Sequence, residues 1–324
     1  MIKIEHLVKR YGSLYALDDV SFEIESGEIV GFLGPNGAGK STTMNIITGY
    51  LSSTSGTVEI GGVNILEEPL KSKKMIGYLP EQPPLYLDMT VGEYLNFVYD
   101  LKDCELDRRA HIGEICDVVK IADVRDRLIK NLSKGYRQRI GIAQALIGNP
   151  EVIILDEPTV GLDPKQIIEV RNLIRTLGKK HTVILSTHVL SEVQAVCERI
   201  VIINRGRIVA NERTADLTRK LDDNRRYNIK ICGPQKEVLS ALRAKSGIHR
   251  VEMLSERDAD SYAFYIECEV GVDVRRSLFN MLAERGWPLI GLEPVGTDLE
   301  DIFIRLTSAS PSSGKKSRRA QNSN

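Results

Sequence analysis

Apolar and polar positions alternate with a period of two over Ile2 to Val8 and again over Val20 to Glu25, the pattern of half-buried antiparallel strands. Glu28 to Leu33 is more uniformly apolar and runs into a glycine-rich turn, while Thr57 to Asn64 carries Gly61-Gly62, which predicts a bend or hairpin. Met75 to Leu79, Val152 to Leu155, Thr182 to Leu185 and Ile200 to Ile203 read as short buried strands. Helical periodicity falls between them, over Thr42 to Gly49, Arg137 to Ile147 and Pro164 to Leu177. Buried strands alternating with helices predict an α/β domain with a parallel core, the leading antiparallel strands forming one edge of a mixed sheet. From about Pro84 to Lys130 the chain is helix-rich and has no buried strand. This stretch predicts a helical subdomain, about residues 84–150, inserted into the α/β domain.

The pattern changes after the polar stretch Thr218 to Arg226. Tyr227 to Cys232 reads as a strand, Pro234 to Lys245 as a helix with proline at its start, and His249 to Leu254 and Ser261 to Glu269 as strands. Val272 to Arg285 reads as a helix closed by Gly286, and Leu289 to Val295 as a last strand. The order β-α-β-β-α-β predicts a ferredoxin-like α+β unit. Asp298 to Leu306 would add a closing helix. Ser308 to Asn324 is serine-rich, lacks large apolar residues and is expected to be disordered. The expected organisation is therefore a first domain over residues 1–220, a second over 225–307 and a tail over 308–324.

Composition narrows the class. The 324 residues suit two domains, and 42% hydrophobic with 27% charged residues is ordinary globular composition. Forty-four basic residues balance 44 acidic ones, which disfavours a dedicated polybasic nucleic-acid binder. That neutrality is an average: the tail holds Lys315, Lys316, Arg318 and Arg319 and no acid, leaving 40 basic against 44 acidic residues elsewhere. No apolar run approaches the roughly 18 to 20 residues that cross a bilayer, and Met1 to Arg10 lacks the apolar core of a signal peptide. Five scattered cysteines without a Cys-x-x-Cys pair read as reduced thiols. The expectation is a soluble intracellular protein.

Gly34-Pro35-Asn36-Gly37-Ala38-Gly39-Lys40-Ser41, followed by Thr42, fits the phosphate-cradling pattern of glycine, four residues, glycine, lysine and serine. Glycines let successive N–H groups converge on phosphate oxygens, and the helix that follows aims its positive end at the same anion. Lys40 would reach the terminal phosphates, and the Ser41 hydroxyl would bind Mg²⁺. Val152 to Leu155 delivers Asp156, a second candidate for the metal, and Glu157 follows where it could polarise an attacking water.

Between these motifs lies Asn131-Leu132-Ser133-Lys134-Gly135-Tyr136-Arg137-Gln138-Arg139, which resembles the signature segment of ABC ATPases, usually Leu-Ser-Gly-Gly-Gln. Other segments follow the family's order: Tyr11 at the adenine-stacking position, Gln82 in the Q-loop, Gly161-Leu162-Asp163 as the D-loop and His188 as the switch histidine. The C-terminal unit, with Asp298-Leu299-Glu300-Asp301-Ile302-Phe303, resembles the extension of bacterial export-type members. The resemblance implies a P-loop ATPase that hydrolyses ATP with Glu157 and His188. It also implies Mg²⁺ on Ser41, Gln82 and Asp156. Two ATPase subunits, identical or paired, would close head to tail, Ser133 and Gly135 of one facing the γ-phosphate held by Lys40 of the other. A separate integral-membrane permease would dock on the helical subdomain, placing the chain in the cytoplasm on the inner face of the membrane. A soluble family member acting on nucleic acid or ribosomes fits less well, since there is one phosphate cradle and no long coiled-coil insertion. Lys134 and Tyr136 depart from the usual glycine and glutamine. The cargo is not encoded in these motifs.

Overall fold

A computed structural model describes residues 1–216, 226–258, 261–269, 271–295, 303 and 307, without the side chains of 255–258. The expected closing helix and the tail lie outside the described residues, Phe303 and Thr307 apart. The chain forms two compact units, one built on Met1–Thr214 and one within Ala215–Arg305.

The first unit opens with a hairpin of β1 (Ile2–Tyr11) and β2 (Leu14–Ile24). Strand β3 (Ile29–Leu33) then leads into the glycine-rich loop and α1 (Lys40–Ile47). A second hairpin, β4 (Ser55–Ile60) and β5 (Val63–Asn64), turns at Gly61 and Gly62, both at positive φ. Strand β4 pairs with β1, so these four strands make their own antiparallel sheet, ordered β2-β1-β4-β5. The expectation that they edge the parallel sheet is thereby corrected. Their alternating apolar faces, with Ile2, Ile4, Val20 and Ile60, bury against a shared core with Met44 and Ile47 of α1. A two-sided pattern needs only one covered face, and a helix layer supplies it as well as a sheet edge would.

The parallel sheet consists of β3, β6 (Ile76–Leu79), β7 (Val152–Asp156), β8 (Thr182–Thr187) and β9 (Arg199–Asn204), with antiparallel β10 (Arg207–Arg213) at one edge. Its order, β10-β9-β3-β8-β7-β6, puts the C-terminal ends of β3, β8 and β7 side by side. Short helix α2 (Pro69–Lys74) precedes β6.

The helical stretch comprises α3 (Val91–Leu101), α4 (Arg108–Val119) and α5 (Lys134–Leu146), with 3-10 turns at Ala122–Val124 and Ile129–Asn131. Thr90 and Glu93 form a reciprocal capping box on α3. Helix α5 starts three residues before the expected Arg137, because Ser133 caps it and Gly135 continues it, and α1 likewise starts at Lys40 rather than Thr42. Helices α6 (Pro164–Leu177) and α7 (Leu190–Val196) follow β7 and β8.

In the second unit, β11 (Arg226–Cys232), α8 (Gln235–Ala244), β12 (Ile248–Asp258), β13 (Ser261–Cys268), α9 (Arg275–Glu284) and β14 (Leu289–Pro294) follow in turn. The antiparallel order β12-β13-β11-β14 is the ferredoxin-like arrangement. Ile229, Ile231, Phe264 and Ile266 on one sheet face bury with Val238, Leu242, Leu278 and Trp287.

Candidate functional site

The glycine-rich loop leaves β3 at Leu33 and closes on α1. A Cβ at Gly34 would lie 2.5 Å from the Ile203 carbonyl oxygen, and Gly39, at φ 113°, has no room for one against the Ala16 carbonyl. Lys40 is buried. Its Nζ donates to the carbonyl oxygens of Gly34 (2.7 Å) and Pro35 (3.4 Å) and lies 3.9 Å from Glu157 Oε1. Burial pulls the Lys40 ammonium below its usual pKa, while Glu157 and Asp156 oppose the shift.

Strand β7 ends on Asp156, and Glu157 follows at φ +49°, a conformation costly for a non-glycine residue. The neighbouring β8 holds this turn, the Glu157 N–H donating to the Ser186 carbonyl at 2.8 Å. His188 Nδ1 lies 2.8 Å from Glu157 Oε1. These groups border a cleft of about 280 Å³ lined by Asn36, Gly37, Gly39, Lys40, Ser41, Thr42, Glu157 and His188, together with Ala16, Glu81 and Val160. Adjacent parallel strands thus bring loop, carboxylate and imidazole to one end of the sheet.

The remaining expected residues fall around this cleft in different ways. Gly34, Pro35 and Ala38 shape the loop without lining the cleft. Asp156 is 3% exposed, and its Oδ1 has no hydrogen-bond partner; burial raises its carboxyl above the usual range, with Glu157 adding to the effect. A buried carboxylate oxygen without a partner is suited to a hard cation. Among the described residues no three His, Cys, Asp or Glu side chains cluster to hold a metal, so phosphate and water would complete the ligand shell of a cation here. Gln82 is exposed and does not line the cleft, whereas Glu81 does. Both side chains are exposed, in the bend that follows β6. Tyr11 is 51% exposed at the tip of the first hairpin, its ring beside Lys9 (Nζ 5.1 Å from the centroid), and it does not line the cleft.

Ser133 and Asp163 each cap a helix: the Ser133 hydroxyl accepts from the Tyr136 N–H at 3.4 Å and Asp163 Oδ1 from the Gln166 N–H at 2.9 Å. The signature segment and D-loop abut within the chain. A Cβ on Gly135 would press the Gln166 side chain, and a Cβ on Gly161 would lie 2.1 Å from Lys134 Nζ. Neither Ser133 nor Gly135 lines the cleft of its own chain.

Sequence reasoning missed a buried polar group behind Glu157. Thr187 Oγ1 lies 3.2 Å from Glu157 Oε2 and 3.0 Å from Glu192 Oε2, and Thr159 hydrogen-bonds Glu192 Oε1. Glu192, four residues after His188, looked like any acid in a first helical turn. A larger cleft of about 510 Å³, lined by His111, Glu114, Lys180 and His181 among others, carries none of the phosphate-loop groups. Its histidines serve the backbone: His111 Nε2 accepts from the Gly148 N–H, and His181 Nδ1 meets the Pro150 carbonyl at 2.7 Å.

Residues 17–160 match the family described as ABC transporter. The bacitracin transport ATP-binding protein BcrA of Bacillus licheniformis is 31% identical over 308 residues, covering 94% of this chain and 97% of that one. The linearmycin resistance ATP-binding protein LnrL of Bacillus subtilis is 32% identical over 319 residues, covering 95% and 98%. The chain belongs to the ABC transporter ATP-binding family. Among solved structures, a dimeric post-hydrolysis state of the cassette MJ0796 bound to ADP and Pi overlays with TM-score 0.60 at 29% identity, covering 66% of this chain and 98% of that one. This ABC ATPase binds and hydrolyses ATP, and its first unit is the P-loop cassette. No helix among the described residues is long and apolar enough to cross a membrane.

Proposed function

We propose that two copies of this ATPase, or one copy and a paired subunit, close head to tail on two ATP molecules and drive a separate permease in the export direction. The observation that carries the reading is the convergence of Lys40, Glu157 and His188 on one cleft, with Glu157 and His188 2.8 Å apart. Glu157 Oε2 takes a proton from the attacking water, and His188 holds Oε1 and the γ-phosphate in register. Lys40 exchanges its loop carbonyls for phosphate oxygens. The Ser41 hydroxyl, Asp156 and Glu81 would hold Mg²⁺, which when bound offsets phosphate charge. The adenine lies toward the first hairpin, where Tyr11 and Tyr15 expose their rings and Ala16 lines the cleft.

Ser133 and Gly135 bind the γ-phosphate across the dimer, at the positive end of α5, with Asp163 beside them. The permease docks on the helical stretch, where Tyr86, Phe97 and Leu101 are exposed around a groove of about 340 Å³. The names of BcrA, a bacitracin transport protein, and LnrL, a linearmycin resistance protein, support a role in moving antimicrobial compounds, and the permease selects the cargo.

Glu157→Gln tests this reading. It is expected to lower kcat about 100-fold or more while an ATP-stabilised dimer persists in gel filtration. Retained turnover removes Glu157 from the chemistry. Recovery of the trapped dimer with ribosomes, and with no membrane protein, would overturn the transport role.

A further inference from the structure

The Thr187 hydroxyl stands between two buried carboxylates. Its oxygen is 3.2 Å from Glu157 Oε2 and 3.0 Å from Glu192 Oε2, and it also accepts the Val189 N–H at 3.1 Å. A hydroxyl has one proton and can donate it to one carboxylate at a time. Glu157 borders the cleft, where water can reach its carboxylate, and its Oε1 already has His188 Nδ1 at 2.8 Å and Lys40 Nζ at 3.9 Å. Glu192 is 5% exposed, and among the described residues Oε2 has no hydrogen-bond donor but Thr187, Oε1 being held by Thr159. Leaving that buried oxygen without a donor is costly, so the Thr187 proton belongs to Glu192.

We propose that Glu192 is a positioning residue for hydrolysis: it draws the Thr187 proton away from Glu157 and leaves Glu157 Oε2 with an open lone pair. The proposal rests on the reading of Glu157 as the group that takes a proton from water. An oxygen that already accepts the Thr187 hydrogen has one of its two lone pairs occupied and holds a hydrogen of the attacking water more weakly. With Glu192 acting as the competing acceptor, both lone pairs of Glu157 Oε2 stay open to the water. The three elements are tied by the same contacts: Thr159 belongs to the loop after β7, Thr187 ends β8 and Glu192 lies in the first turn of α7.

The test is a double-mutant cycle on ATP turnover in the full-length chain. Glu192→Met removes the competing acceptor, so the Thr187 proton swings to Glu157, and kcat is expected to fall about tenfold with nucleotide Kd unchanged. Adding Thr187→Val removes the misdirected proton and is expected to restore most of that loss. A purely structural role predicts the opposite, a double variant at least as slow as the single one. Wild-type kcat in Glu192→Met, or a double variant no faster than it, overturns the proposal. Glu192→Gln, isosteric and neutral, carries the same test if the methionine variant does not fold. It is expected to fall between wild type and Glu192→Met, and to be rescued by Thr187→Val as well. Glu157→Gln run alongside separates the two readings: its retained turnover would remove the base itself, whereas its loss beside an unaffected Glu192 variant removes only the positioning role.

Discussion

The two units treat buried polarity in opposite ways. In the first, Lys40, Asp156, Glu157, Thr187 and Glu192 are buried together at the ends of adjacent strands, and Glu157 sits on a costly backbone angle. In the second, the core around Phe264, Ile266, Leu278 and Trp287 is apolar, and buried Arg226 is held 3.3 Å from Glu267. Burying charge costs free energy unless something repays it. The first unit carries that cost where phosphate chemistry needs preorganised groups, and the second has the economy of a scaffold.

The largest test of this contrast is Phe264→Ala, which is expected to destabilise the second unit by about 3–5 kcal/mol. Trp287 is the sole tryptophan and packs in that core, so its fluorescence reports the unit's unfolding. Nucleotide affinity of the first unit should not move; a parallel loss would make the two units one energetic body. Next in size, Glu81→Gln is expected to weaken Mg²⁺ binding to the ADP-loaded protein about tenfold, read by metal titration, while Gln82→Ala leaves it unchanged. The reverse result would assign the role to Gln82. The smallest effect is expected at Lys134, an exposed cation with no ion pair among the described residues, beside Gly161 at the start of α5. Lys134→Met should weaken ATP-driven dimerisation about threefold, less so at high salt. A loss equally large at high salt would assign Lys134 a packing role instead.

What could be read beforehand follows how local each signal is. The phosphate loop was legible because Gly34 and Gly39 mark backbone that no other residue fits. The ferredoxin-like order was legible because Tyr227 to Cys232 and Ser261 to Glu269 alternate cleanly and glycine or proline separates the elements. The separate antiparallel sheet was not, since alternation over Ile2 to Val8 states which face is covered and not by what. Nor were the helix starts: Gly135 lowers helical propensity, yet Ser133 caps the turn before it. Glu81 and Gln82 are adjacent, and which of them lines the cleft depends on the bend that follows β6. Glu192 was hidden because burial is a tertiary property, and its partners Thr159 and Thr187 lie 33 and five residues away.

The Ser133 cap has one more consequence. In capping α5 the hydroxyl accepts the Tyr136 N–H through a lone pair, so its own hydrogen remains available to an incoming anion. One end of the side chain is anchored by the helix it begins, and the other is left to recognise. A rotor held in this way has already lost much of its torsional freedom during folding, so under the proposed head-to-tail closure less would remain to be lost when a second subunit brings phosphate to it. In that closure the first turn of α5 would shift part of the ordering cost of association from the moment of docking to the folding of each separate chain.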